Sequence, residues 1–417
     1  MMYKIYILLK KQNNLRQIAF VYILLNFCFN NFLLSQTGPA SDLNGFTPIT
    51  NNKTVSNKKG SQYKLTILKS IESTPVKNQG MTGTCWSFSS ISFFESELNR
   101  IGKGKDYNLS EMFVARMAYP LKAENYIRMH GKAQFGEGGE FHDVVHVMRK
   151  YGMVPQEVYN GNLKPGEDYD HHKMDSALLA LVKSIASNDQ KIDLSWRNKL
   201  NEILDKHLGK IPSTFEYKGK QYTPESYAKE LGVSPDDYLY LSSFTHQPFY
   251  KEFTIEIPDN WMWERAHNLP LDEMIACIDN ALNNGYGVAW AADVSEPTFR
   301  FKDGLAILPE KKFESLSFEE KNKLFSNPCP QKNVTQEERQ VAFDNYETQD
   351  DHGMHMVGIA KDQNNTKYYI IKNSWGNSND CEGYFFASEA YVRMKTVSIM
   401  IHKNALPSSI KNKLSLR

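Results

Sequence analysis

A chain of 417 residues with 41% hydrophobic and 23% charged side chains has the composition of a globular protein, long enough for one enlarged domain or two. Its 49 basic and 48 acidic residues leave a formal charge of +1, which gives nucleic acid no electrostatic footprint and no reason to expect a strongly acidic substrate. Small clusters such as Glu310, Lys311 and Lys312 read as solvated surface.

At the amino terminus Lys10, Lys11 and Arg16 precede an apolar run over residues 18–25, continued through Phe27, Phe29 and Phe32 to Leu34. Asn26, Asn30 and Asn31 interrupt it, so it falls short of the roughly 20 apolar residues of a spanning helix. Residues 1–35 therefore read as a secretory signal cut near Ser35-Gln36, with an uncleaved membrane anchor as the alternative. The expectation is an exported protein, periplasmic or secreted, without stable membrane contact once the signal is gone. Residues 36–61, rich in Asn, Ser, Gly, Thr and Lys, read as a flexible lead-in. Cys28 leaves with the signal. Cys85, Cys277, Cys329 and Cys381 are far apart and form no CxxC pair, so neither a metal nor another cofactor is expected. Export permits a disulfide, with Cys329 and Cys381 as the most available partners.

Further along, Phe88, Ile91, Phe94 and Leu98 recur at three and four, predicting a helix over residues 87–98 that begins just after Cys85. A second helical pattern covers residues 142–150. From about 164 to 263 the composition turns polar, with helical stretches at 176–186 and 197–208, and reads as a mainly helical insertion. Residues 271–282 predict an amphipathic helix stopped at Asn283, Asn284 and Gly285, followed by a buried strand over 288–294. The last third alternates in strand fashion at 354–360, 368–372, 383–387 and 397–401. Helices first and strands later suggest an α+β protein with the two classes partly segregated.

Chemistry concentrates in three places. Asn78-Gln79-Gly80-Met81-Thr82-Gly83-Thr84-Cys85-Trp86 sets a cysteine at a helix start, where unpaired N–H groups and the helix dipole favour a thiolate. The glycines allow a tight path, and the Gln79 amide with the Cys85 N–H can form an oxyanion hole. A buried structural cysteine is the plain alternative for Cys85 taken alone. A nucleophilic thiol needs a base, and Asp351-His352-Gly353-Met354-His355 offers two histidines whose rings point to opposite faces of a strand. Asn373-Ser374-Trp375-Gly376 closes the next strand; Asn373 can accept the imidazole N–H, and Trp375 can shield that bond from water.

Together these stretches resemble the papain-like cysteine peptidases, in the order Cys, His, Asn. In the family pattern a glycine follows the catalytic histidine by six, which His352 and Gly358 satisfy; His355 is the lesser choice. The resemblance implies Cys85, His352, Asn373 and Gln79 as the catalytic set, and Gly138-Gly139 as backbone binders of an extended substrate, with Trp375 and Asp351 beside it. The spacing 352 − 85 = 267 exceeds the roughly 130–150 of the papain type, Thr82 replaces the usual extra cysteine, and no propeptide fits between residues 36 and 85. Those features, with Asn268-Leu269-Pro270-Leu271, Gly285-Tyr286 and Asp293-Val294, resemble the bleomycin hydrolase and aminopeptidase C branch.

That resemblance implies a two-lobed papain-like fold, helical lobe plus β-barrel-like lobe, over residues 62–403 with the insertion inside it and a tail over 404–417. It also implies thiol aminopeptidase action on peptides or proteins and a homohexameric cage. In the branch a carboxyl-terminal tail lies in the cleft; residues 408–417 depart from it, so endopeptidase action stays open. An amidase or transpeptidase acting on cell-wall peptides, and a non-catalytic papain-like binding protein, are the rivals.

Overall fold

Helix α1, Cys85–Arg100, is buried at every position from Trp86 to Leu98, not on one face only. It runs between a helical lobe and a sheet, and serines at 87, 89, 90, 92 and 96 keep it slim enough for close neighbours on all sides. The computed structural model describes residues 52–162, 166–187 and 194–416; the signal expected over residues 1–35 lies outside them.

Two strands precede α1, β1 (Thr54–Val55) and β2 (Leu65–Ser70). After it come α2 (Glu111–Arg128), α3 (Phe141–Tyr151), α4 (His172–Ala186), α5 (Trp196–Leu208), the β3–β4 hairpin (Phe215–Tyr217, Lys220–Tyr222) and α6 (Pro224–Leu231). Strands β5 (Tyr238–Ser242), β6 (Glu252–Thr254) and β7 (Arg265–Asn268) lead to α7 (Leu271–Asn283). Then follow β8 (Val288–Ala292), β9 (Phe299–Arg300), β10 (Leu305–Ala306), α8 (Phe318–Lys323) and α9 (Gln336–Asp344). The chain finishes with β11 (His352–Lys361), β12 (Lys367–Lys372), β13 (Tyr384–Ser388), α10 (Glu389–Lys395), β14 (Thr396–His402) and α11 (Ser408–Lys413).

The main sheet runs β6-β7-β5-β14-β8-β11-β12-β13-β10-β9, with β2 and β1 branching from β11. Pairing is antiparallel except β5–β7 and β10–β13. Strand β11 is central: residues 352–356 pair with β8, residues 358–361 with β2, and β12 covers its other edge. A strand enclosed this way must be apolar on both faces, which is why nine of its ten residues are buried. One apolar core lies among α1–α6 and a second between the sheet and α7.

Three expectations are corrected. The flexible lead-in over 36–61 is ordered where described from β1 on, because β1 pairs with β2 and the fully buried Asn57 amide donates to the carbonyls of Asp303 (2.7 Å) and Phe325 (2.9 Å). Among the described residues the insertion over 164–263 is α-helical in α4–α6 alone; β5 then joins the sheet beside β14, since Leu239 and Leu241 there extend its apolar surface. Cys329 and Cys381 are free thiols: Cys381 donates to the Asn57 carbonyl at 3.1 Å, while Gln331 donates to Cys329 at 3.3 Å.

Candidate active site

The backbone reaches α1 by a route that needs glycine at residue 80. Its φ is +62°, and a Cβ there would stand 2.5 Å from the Tyr169 carbonyl oxygen. Thr84 is the N-cap, but its hydroxyl pairs with Thr82 and caps nothing, and no acidic side chain occupies the first turn. The half-buried Cys85 sulfur instead accepts from the Gly353 and Trp86 N–H groups. Burial pushes the thiol up to about 12 against those donors, and the nearby Asp350 and Asp259 carboxylates push the same way. The helix start favours a thiolate, but burial wins, and the resting sulfur keeps its proton.

His352 opens β11 and Asn373 follows β12, so the pairing of these strands brings the two together. His352 Nε2 donates to Asn373 Oδ1 at 2.7 Å, and the Ser374 N–H donates to the same oxygen at 2.9 Å. Because Oδ1 can only accept, Nε2 carries the proton and Nδ1 is left as a bare acceptor. Trp375 stacks on the imidazole with centroids 4.6 Å apart, and Phe299 and Phe301 hold the indole edge-on. Burial drives His352 down to about 4, only partly offset by the Asn373 bond. We predict that Trp375→Ala, which wets the His352–Asn373 bond, lowers kcat about tenfold with little change in KM, read by steady-state peptidase kinetics.

Gln79 is buried and fixed at three points. Its N–H donates to the Ser374 carbonyl (2.9 Å), its Oε1 accepts from Ser374 Oγ (2.6 Å), and its Nε2 donates to the Thr82 carbonyl (2.7 Å). The side-chain amide is thereby held against the turn that leads into Cys85. Cys85, His352, Gly353 and Gly139 line one pocket of about 20 Å³, room for about one water. The arrangement can carry out acyl transfer through a thiol, with nucleophile and base sharing a single small space and Asn373 orienting the base.

Two residues expected on the substrate side have close protein partners. Gly138 is not an open cradle: the Asp259 carboxylate covers it, with Oδ2 2.0 Å from where a Cβ would stand, and Lys122 Nζ donates to its carbonyl. Asp351 lines the pocket, and its Oδ2 accepts from the Val294 and Ser295 N–H groups at 3.2 Å each, which braces the chain after β8. The other acids lining the pocket are Glu140, Asp259 and Asp350, none of them flagged by a motif. Glu140 and Asp350 share a hydrogen bond, and burial holds Glu140 protonated.

The Peptidase C1-like family model matches residues 123–416. The chain belongs to that family. It is 22% identical over 378 residues to aminopeptidase C of Listeria monocytogenes, covering 80% of this chain and 81% of that one. To aminopeptidase G of Lactobacillus delbrueckii subsp. lactis it is 24% identical over 386 residues, covering 82% and 83%. The crystal structure of PepW from Lactobacillus rhamnosis superposes with a TM-score of 0.66 at 20% identity, covering 84% of each chain. The α+β, papain-like fold class and the cysteine-peptidase class stand.

Behind the pocket this C1-like peptidase carries a buried polar brace. His355 points away from Cys85 into the interface of β11 with α1, its Nδ1 3.0 Å from Ser92 Oγ. Lys372, the residue before Asn373, donates to Ser92 (2.8 Å) and to Thr74 (3.0 Å), and Thr74 donates to Glu95 (2.5 Å). Glu95 in turn accepts from Lys77, which also pairs with Glu111 at 2.6 Å. The chain of contacts ties α1, α2 and the end of β12 together, and so fixes Asn373 relative to Cys85. Helix α11 packs through the buried Ile410 into the core containing α7, and Lys413 pairs with Glu273 of α7 at 2.6 Å. No described residue of α11 lines the Cys85 pocket.

Proposed function

We propose that this chain is a thiol aminopeptidase acting through Cys85. The observation that carries the reading is the shared pocket of Cys85 and His352, with His352 Nε2 engaged by Asn373 and Nδ1 left to accept a proton. As a substrate carbonyl enters, His352 Nδ1 takes the Cys85 proton and the sulfur attacks the carbonyl carbon. The oxyanion that forms accepts from the Cys85 N–H and the second Nε2 hydrogen of Gln79. The imidazolium gives its proton to the leaving amine, and a thioester remains on Cys85. His352 then deprotonates a water, which attacks the thioester; the acid leaves and the thiol regains its proton.

The free-amine requirement draws on two supports: the pocket is small and lined by acids, and the similar proteins of Listeria and Lactobacillus are named aminopeptidases. The test compares a leucyl fluorogenic amide with its N-acetyl counterpart under reducing conditions. Turnover of the free amine alone is expected. Equal turnover of the acetylated substrate would make the chain an endopeptidase and end the aminopeptidase reading.

A further inference from the structure

Resting on that reading, we propose that Asp259, backed by Asp350, is the specificity site that receives the substrate's α-ammonium group and stops longer chains from entering. The first argument is steric. Asp259 Oδ2 sits where a Cβ on Gly138 would be, so the face of the glycine pair, along which an extended substrate would run, is filled by a carboxylate. That carboxylate and Asp350 line the same pocket as Cys85 and His352. A substrate can place one residue beside the sulfur; its own amino end then meets Asp259.

The second argument is charge. Lys122 is the one cation acting on Asp259 among the described groups, and its Nζ is already spent on the Gly136 and Gly138 carbonyls. Among the described residues Asp259 has a single neutral donor, Gln134 Nε2 at 2.8 Å on Oδ1. Asp350 is bound to Glu140, which keeps the proton. Burial raises the Asp259 carboxyl and pushes Asp350 up to about 7, so a primary ammonium, with three donors and one positive charge, supplies the countercharge that this pair of acceptors lacks. An acetylated amine brings one donor, no charge and added bulk against Oδ2.

Asp259 comes from the end of the insertion, in the turn that follows β6, and Trp261 anchors that turn by donating to Asp143 at 2.7 Å. Beyond Asp259 and Asp350 opens a second cavity of about 480 Å³ that also takes in Glu256, Asp344 and His246. The same acids suit a basic side chain one residue further out, and the test separates the two.

The experiment measures kcat/KM for leucyl amide, acetyl-leucyl amide, acetyl-Leu-Leu amide and acetyl-Arg-Leu amide, all fluorogenic, on the full chain and on Asp259→Asn and Asp259→Ala. The isosteric Asp259→Asn is expected to lose about 100-fold on leucyl amide, mainly in KM, and to keep its melting temperature. Asp259→Ala, which also clears Gly138, is expected to gain turnover of acetyl-Leu-Leu amide. If Asp259→Ala does not fold, Asp259→Asn decides alone. A wild-type preference for free amines that survives Asp259→Asn unchanged overturns this inference and leaves the aminopeptidase reading intact. Preference for acetyl-Arg-Leu over acetyl-Leu-Leu amide, lost in Asp259→Asn, overturns it in favour of side-chain recognition. A wild-type chain that cleaves none of the four ends both readings.

Discussion

Cys85→Ala is expected to lower peptidase turnover by at least about 10⁵-fold while the protein stays folded. The sulfur is the attacking atom of the proposed path, and what remains without it is only binding and two oxyanion donors. Its structural part is small. The side chain is half-buried, its bonds are to the Gly353 and Trp86 N–H groups, and α1 is held by the side chains from Trp86 to Leu98. Truncating one half-buried sulfur costs about 1 kcal/mol, against a helix locked on all sides. Steady-state turnover of leucyl amide and a melting curve read the two halves separately. Alkylation alone would not, because Cys329 is also half-buried, whereas Cys277 and Cys381 are buried. A folded Cys85→Ala protein that kept ordinary turnover would end the thiol mechanism.

How far the sequence carried can be argued from a few elements. The strand at β11 was legible because residues 354–360 are apolar but for His355 and the small Gly358, which is what enclosure by β2, β8 and β12 demands. Helix α2 was not. It contains Pro120 and buries Glu111, Arg116 and Lys122 along with its apolar residues, so no apolar face stands out. Those three are buried for reasons that lie elsewhere in the chain. Glu111 meets Lys77, Arg116 meets Asp205 at 2.8 Å, and Lys122 meets two glycine carbonyls. The same holds for the site. Cys85, His352, Asn373 and Gln79 stand in local motifs whose spacing reflects one helix start and two strand ends. Asp259 does not, because it lies 121 residues from Gly138 (259 − 138 = 121) and only the folded chain seats it there, and Asp350, although two residues before His352, belongs to no pattern of its own. His352-Gly353 held one signal that could have been used. A Cβ on Gly353 would stand 3.3 Å from Trp86 Cα and 2.9 Å from Ser89 Oγ, so a glycine after the histidine is what lets β11 reach the first turn of α1.

His352→Ala is expected to match Cys85→Ala, with turnover down at least about 10⁵-fold, and the double substitution to be no worse than either alone. Both groups act in one proton-transfer event, so once either is gone the other has nothing to do. His355→Ala should differ in kind: its ring is wholly buried between β11 and α1, so its loss lowers the melting temperature and leaves the turnover of folded protein largely in place. Acid titration sharpens the distinction. His352 is held down to about 4, so it stays a neutral, proton-accepting base through neutral pH and loses that ability only as pH falls through about 4. Asn373→Ala removes the contact that raises it; the acid limb of kcat/KM should then move lower still, while kcat drops about 100-fold as the ring loses its orientation. Stability sets a bound on the measurement. His142, at about 3, and His355, well below its ordinary value, are also buried neutral. An unfolded chain gains protons at all three as pH drops below about 6.5, so this part of the folding free energy is whole above that pH and is lost progressively below it. Melting curves at each pH must therefore accompany the rates. An acid limb near 6.5 in protein that is still folded would mean that the working imidazole is solvated, and that His352, as it sits beneath Trp375, is not the base.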